Sequence, residues 1–172
     1  VAPVSYAQRR LWFLNRVNGG SGVYNCPLVV RMRGDLDRAA LAAALVDLAD
    51  RHEVLRTVYP AVQGEPVQHV SARPPELEVV TCQEDGLAAM LSAAVDRGFD
   101  LTADLPVRAT LFAPAPREHV LALVLHHIAC DEGSWQPLLT DLATGVPRQG
   151  RGRATAVGAD SGDLPGLRRM AA

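Results

Sequence analysis

Residues 119–134 read HVLALVLHHIACDEGS, and the reading of this stretch decides the fold. Residues 120–125 are an unbroken apolar run of strand length between His119 and His126. A continuous run of this kind suits a strand buried in a sheet. It ends in two adjacent histidines and a short loop, and a helix is expected over residues 134–143 with Ser134 as its N-cap. Adjacent side chains at a strand end point to opposite faces, so His126 and His127 cannot both face one pocket. A strand end beside a loop is a common place for chemistry, because a rigid element aims the side chain. Imidazole titrates near 6.5 and can accept a proton at physiological pH.

Working outward, residues 107–113 form a second strand, joined to the histidine strand by the proline-rich turn PAPRE. Ahead of it, residues 85–97 are an Ala-rich helix stopped by Gly98, and residues 77–82 are a strand. Residues 54–60 and 66–70 read as a hairpin with a Gly in its connection. Residues 36–52 give the strongest helical pattern: Asp37 caps it, and Leu41, Leu45 and Leu48 recur at spacings of four and three. Residues 26–33, CPLVVRMR, are a strand, and residues 6–17 a short helix. Ser5 and Gln8 stand at capping-box spacing at the start of that helix. Strands and helices interleave throughout, which predicts an α/β sandwich of mixed sheet and helices.

The chain has 172 residues, 48% hydrophobic and 21% charged, which excludes wholesale disorder and suits one domain or part of one. All 17 basic residues are Arg, and against 19 acidic residues they leave a net charge of -2. A nucleic-acid binder would show a basic excess, so no nucleic-acid partner is expected. The absence of Lys beside heavy use of Ala, Arg, Gly and Pro is codon bias of a GC-rich genome. No apolar run reaches membrane-spanning length, and the N-terminus lacks the pattern of a secretory signal. Residue 1 is Val, which reads as a fragment or trimmed start. Three widely spaced cysteines, Cys26, Cys82 and Cys130, fit free thiols in a reducing cytoplasm. Residues 145–172 carry five Arg against two Asp and lose apolar periodicity. They are expected to be a loop-like or disordered tail, separate from a folded unit over 1–144.

Several chemistries can be weighed on these residues. A metal site drawn from HH-x3-D, or from Cys130 with the histidines, has no partner motif elsewhere, and no metal is expected. Cys130 as a nucleophile lacks a Gly run to build an oxyanion hole. In NGGSG, residues 18–22, Ser21 follows Gly20 without the spacing or Leu of a phosphopantetheine attachment site; a mobile loop is expected.

HHIACDE resembles the HHxxxDG signature of the condensation domains of nonribosomal peptide synthetases, in the chloramphenicol acetyltransferase-like superfamily. SYAQRRLWFLN at residues 5–15 is similar to the family's opening motif, SxAQxRLWFL. RHEVLRT at residues 51–57 matches its second motif, RHExLRT, at every fixed position, and residues 99–112 resemble the stretch ahead of the histidine strand. The resemblance covers about residues 3 to 144. It implies a chloramphenicol acetyltransferase-like two-layer sandwich present as a single half-domain, the N-terminal half of a V.

The resemblance also implies roles. His127, the second His of the signature, positions the attacking α-amine and takes its proton; His126 is structural. Asp131 anchors the loop through an Arg, with Arg56 as the expected partner. Trp12, Glu132 and Gly133 are expected along the substrate channel; Glu132 stands where the family has Gly. The implied reaction is amide-bond formation between aminoacyl or peptidyl thioesters held on the phosphopantetheine arms of upstream and downstream peptidyl carrier domains. No cofactor is bound directly, and the C-terminal half of the domain is a further partner. Alternatives within the superfamily are an epimerisation domain or a coenzyme A-dependent acyltransferase. A truncated or vestigial, non-catalytic half is the non-enzyme reading.

Overall fold

The computed structural model describes residues 2–145 and 154–155. In chain order these form β1 (Ala2–Pro3), α1 (Tyr6–Val17), β2 (Asn25–Arg33), α2 (Arg38–Arg51), β3 (Thr57–Val58), β4 (Ala61–Val62) and β5 (Glu65–Val70). Then come β6 (Leu77–Thr81), α3 (Glu84–Asp96), β7 (Val107–Ala115), β8 (Glu118–His126), α4 (Trp135–Gly145) and β9 (Ala154–Thr155).

The main sheet runs β6-β7-β8-β2-β9. β6 lies parallel to β7, and the other pairs are antiparallel, so the sheet is mixed as expected. The apolar run of β8 is central and buried on both faces. Leu121, Leu123 and Leu125 point to one side, where α2 and α4 bring Leu41, Leu45, Leu48, Leu138 and Leu142. Val120, Ala122 and Val124 point to the other, against Trp12 of α1 and Leu87, Leu91 and Val95 of α3. Each such leucine, fully withdrawn from water, contributes about 1.5–3 kcal/mol. Helices therefore cover both faces, which is why the run shows no alternation.

The opening motif is a docking surface. Ser5 and Gln8 form the expected capping box. Gln8 then reaches the hydroxyl of buried Tyr59, Trp12 Nε1 donates to Tyr59 O at 2.8 Å, and Asn15 Nδ2 donates to Phe99 O at 3.1 Å. These three residues lie four and three apart, on one helix face. α2 starts where Asp37 accepts the Ala40 N–H at 2.9 Å.

Three local readings change. Residues 53–56 coil into a 3-10 turn, so the strand begins only at Thr57. Arg56 donates to Ala49 O and Thr57 Oγ1 to Glu53 O, which curls the chain back onto α2. The hairpin itself is tighter than expected, turning at Gln63 and Gly64, both at positive φ; that is the primed turn whose twist suits paired strands. The segment expected to be a mobile loop is a clasp. A Cβ on Gly98 would stand 1.4 Å from Gly20 O, and one on Gly22 would stand 2.3 Å from Asp96 O. Asn25 Nδ2 donates to both Val95 O and Arg97 O across the same seam.

Of the expected tail, Gly145 ends α4, and Ala154–Thr155 pairs antiparallel with Met32 and Arg31 on β2. That pairing departs from a tail without regular structure. Residues 146–153 and 156–172 lie outside the described residues.

The clasp yields a prediction. Gly98→Ala should lower stability by about 3 kcal/mol or more, since the new methyl meets backbone rather than a side chain that can move. Gly86→Ala, in α3 where nothing lies within 4 Å, should leave stability unchanged or raise it by up to about 1 kcal/mol. Urea denaturation of both variants checks the contrast.

Candidate functional site

β8 ends at His126 at the edge of the core, and His127 follows it as the first residue of the loop. His126 is fully buried, and His127 is exposed. The His126 N–H donates to Pro106 O at 3.0 Å, and the His127 N–H donates to Tyr24 O at 2.9 Å. These bonds tie the strand end to the segments entering β7 and β2.

His126 is built into the interior. Its Nδ1 accepts the Ile128 N–H at 3.1 Å, which places the proton of the neutral ring on Nε2. Phe99 meets it edge-on at 5.9 Å and Tyr24 lies at 6.1 Å. Arg108 stacks over the Phe99 ring, 3.8 Å from its centre. Burial, aided by the neighbouring His127, pushes the His126 imidazole down to about 4.

His127 has the opposite character. Its Nδ1 lies 2.7 Å from Cys130 O. A carbonyl only accepts, so Nδ1 carries the proton and Nε2 keeps a lone pair. The loop thus fixes ring orientation and tautomer together, as a histidine that is to accept a proton requires. Beside it lie two thiols. Cys26 enters from β2 and Cys130 from the loop. Cys26 Sγ faces Tyr24 O and Cys130 Sγ donates to His126 O. The closeness of the two thiols, with help from His127, holds the Cys26 thiol down to about 7, and the same closeness together with burial pushes Cys130 up.

Asp131 does not pair with Arg56. It is exposed, and it accepts from Ser134 Oγ at 2.6 Å while its own N–H donates to that oxygen at 3.1 Å. Ser134 holds its carboxyl below the usual range. The carboxylate therefore caps the turn into α4. Arg56 is occupied elsewhere: it donates to Ala49 O and Ser71 O and lies 3.3 Å from Asp50. The second motif instead reaches the helix that follows the histidine loop. Arg51 and His52 each contact Asp141 of α4 at 2.9 Å. Asp141 is the anchor that the sequence reading missed, and its only signal was its place one turn before the end of α4.

Trp12 is a core residue, buried with its N–H bonded, and so does not line a channel. Gly133 is exposed in the turn, where a Cβ would meet only Asp131 Oδ1 at 3.6 Å. The Glu132 backbone lies in the same turn, and its side chain lies outside the described part.

The family model described as "Condensation domain" matches residues 1–157. The chain belongs to that family. It is 48% identical over 155 residues to a probable non-canonical nonribosomal peptide synthetase, CymA, of Salinispora arenicola, covering 88% of this chain and 2% of that protein. It is 46% identical over 155 residues to a dimodular nonribosomal peptide synthase of Bacillus subtilis, covering 88% of this chain and 6% of that one. Among solved structures, the X-domain in complex with OxyB from teicoplanin biosynthesis superposes with a TM-score of 0.79 at 39% identity. That match covers 84% of this chain and 32% of the other. The starter condensation domain of the rhizomide synthetase RzmA shares the fold at a TM-score of 0.74 and 22% identity, covering 83% and 36%.

The chain thus spans a few per cent of the curated relatives and about a third of the solved chains. It is the part of a condensation domain that carries the histidine signature, and the expected mixed α/β fold is the family's. Among the described residues, no helix is long and apolar enough to cross a membrane.

Two outcomes follow from this geometry. His126 is neutral when folded and titrates near 6.5 when unfolded, so between those values the unfolded chain binds the extra proton. Stability from this group is full above about pH 6.5, falls with pH and levels off below about 4, a loss on the order of 3 kcal/mol. Urea unfolding at about pH 7.5 and about pH 4.5 should show a larger loss for the native chain than for His126→Gln. His119, whose imidazole burial also pushes down, remains in both proteins and contributes equally. Separately, Asp141→Ala should cost about 1–2 kcal/mol and raise hydrogen exchange in α4 before the sheet, because it removes the tie to α2.

Proposed function

We propose that this chain is the N-terminal, acetyltransferase-like half of a condensation domain that forms amide bonds in nonribosomal peptide synthesis. The observation that carries the reading is His127: exposed at the end of a buried strand, its Nδ1 proton held by Cys130 O, its Nε2 lone pair available. The substrates are an upstream aminoacyl or peptidyl thioester and a downstream aminoacyl thioester, each on the phosphopantetheine arm of a carrier domain. Those carrier domains and the C-terminal half of the domain are the partners. No cofactor binds the chain directly, and the free thiols of Cys26, Cys82 and Cys130 suit the cytoplasm.

The step needs little from the protein beyond placement. An α-amine titrates near about 7.7–8.0, so part of it is unprotonated at neutral pH. Nε2 accepts a hydrogen bond from that amine, which leaves the amine nitrogen's own lone pair aimed at the thioester carbonyl. As the C–N bond forms, Nε2 takes the surplus proton. The C–S bond then breaks, and the departing thiolate recovers the proton. The charge on His127 is transient, and solvent access stabilises it while His126 stays neutral behind it. Holding two tethered substrates at about 3–3.5 Å supplies the larger share of the rate.

A chain with one wall of the tunnel should be a poor catalyst alone. With two loaded carrier proteins, the 172-residue chain should form little amide; adding the C-terminal half in trans should restore formation. His127→Ala should then lower the restored rate by about 100-fold or more. An unchanged rate in His127→Ala would overturn the assigned role. Inversion at the donor α-carbon without amide formation would identify an epimerisation domain instead.

A further inference from the structure

We propose that Cys26, Cys130 and His127 form a binding site for one thiophilic divalent cation, of which Zn2+ is the best match. The donor atoms of these three residues all lie within 4.8 Å of one another. A tetrahedral zinc ion, with bonds of about 2.3 Å to sulfur and 2.0–2.1 Å to nitrogen, holds such donors about 3.4–3.8 Å apart. Drawing them in by about 1 Å lies within side-chain rotation.

The framework behind them is fixed. Cys26 sits on β2 opposite Leu125, and His127 follows β8 with its N–H bonded to Tyr24 O, two residues before Cys26. Cys130 is returned towards both by the turn that bonds Ala129 N–H to His126 O. Burial is graded along the set: Cys130 is buried, Cys26 half-buried and His127 exposed. The thiols thus form the floor and the imidazole the mouth, leaving a fourth position on the solvent side for water or an external thiol.

Two thiolates and one neutral imidazole are the ligand chemistry that zinc takes, and the two sulfur charges balance the ion in a half-buried place. Binding releases the thiol protons to solvent and involves no redox change. The ligand set differs from HH-x3-D. His126 is excluded because its Nδ1 is committed to Ile128, and Asp131 because it caps the turn with Ser134. Cys26 joins from a hundred residues upstream only through the β2–β8 pairing.

One consequence rests on the function proposed above. A cation on His127 occupies an imidazole nitrogen and breaks the ring's orientation for the amine. Metal loading and amide formation are then mutually exclusive, and zinc acts as a reversible inhibitor relieved by chelation. The metal site itself does not depend on that reading.

The test titrates Co2+ into the reduced, metal-free 172-residue chain and follows absorbance. One equivalent should produce sulfur-to-cobalt charge transfer with intense tetrahedral visible bands, and Zn2+ should abolish both. Cys26→Ser, checked for folding by circular dichroism, should weaken binding by about 100-fold or more and remove much of the charge transfer. His127→Ala, at an exposed position, should keep the charge transfer while binding about tenfold or more weaker. No charge-transfer band with both thiols still reactive would overturn the site. Equal affinity in the native chain and Cys26→Ser would do the same. Loss of both thiols to a disulfide without metal uptake would overturn it in favour of an oxidisable pair. Undiminished amide formation by zinc-loaded protein completed with the C-terminal half would overturn only the link to His127's role.

Discussion

β2 and β8 pair over nine consecutive residues, from Asn25 opposite His126 to Arg33 opposite Glu118. The side-chain period of a strand is two, so a slip of one residue would exchange the two faces of β8. Leu121, Leu123 and Leu125 would leave α2 and α4, and His126 and His127 would trade places. The register therefore settles core and chemistry together. It is held at one end by the bonds to Tyr24 and Pro106 and at the other by the tight turn that sets Ala115 opposite Glu118, because a strand apolar on both faces has no alternation of its own to fix it.

From that register the two histidines take opposite physical roles. His126 is neutral because its surroundings are apolar and its Nδ1 is spoken for. His127 keeps water and an open Nε2. The loop between them and α4 is then stabilised twice, by the Asp131–Ser134 turn and by Asp141 held from α2. Both are short-range devices: one caps a turn, the other clamps a helix. Together they explain why an exposed histidine can keep a defined tautomer.

What could be read in advance follows physical range. The elements of the main sheet and their helices were legible because each has its own period or cap: the Leu spacing of α2, Asp37 and Ser5 as caps, the unbroken run of β8. The division between His126 and His127 was legible because alternation is local. The partner of Asp131 was not, because a carboxylate four residues from a histidine can turn to its own loop or to a distant Arg with equal ease. Ser134, three residues on, wins by proximity. Cys26 was invisible beside His127, since one hundred residues of chain separate them and only strand pairing closes the gap. The Ala154–Thr155 pairing was missed because two residues of edge strand need no apolar pattern of their own.

The clasp at Gly20, Gly22 and Gly98 has a consequence at the level of the gene. Every single-base change in the first two positions of a glycine codon that leaves a coding triplet installs a residue with a Cβ. At Gly64 such a change meets open space and only a positive φ, whereas at Gly98 it meets the Gly20 carbonyl. Glycine has four codons, yet none of them offers position 98 a neighbouring amino acid that the backbone can admit. Variation should thus be silent at that codon's third position alone. The seam that seats Phe99 against His126 is consequently among the least adjustable parts of the chain, although no atom of the clasp touches His127's chemistry.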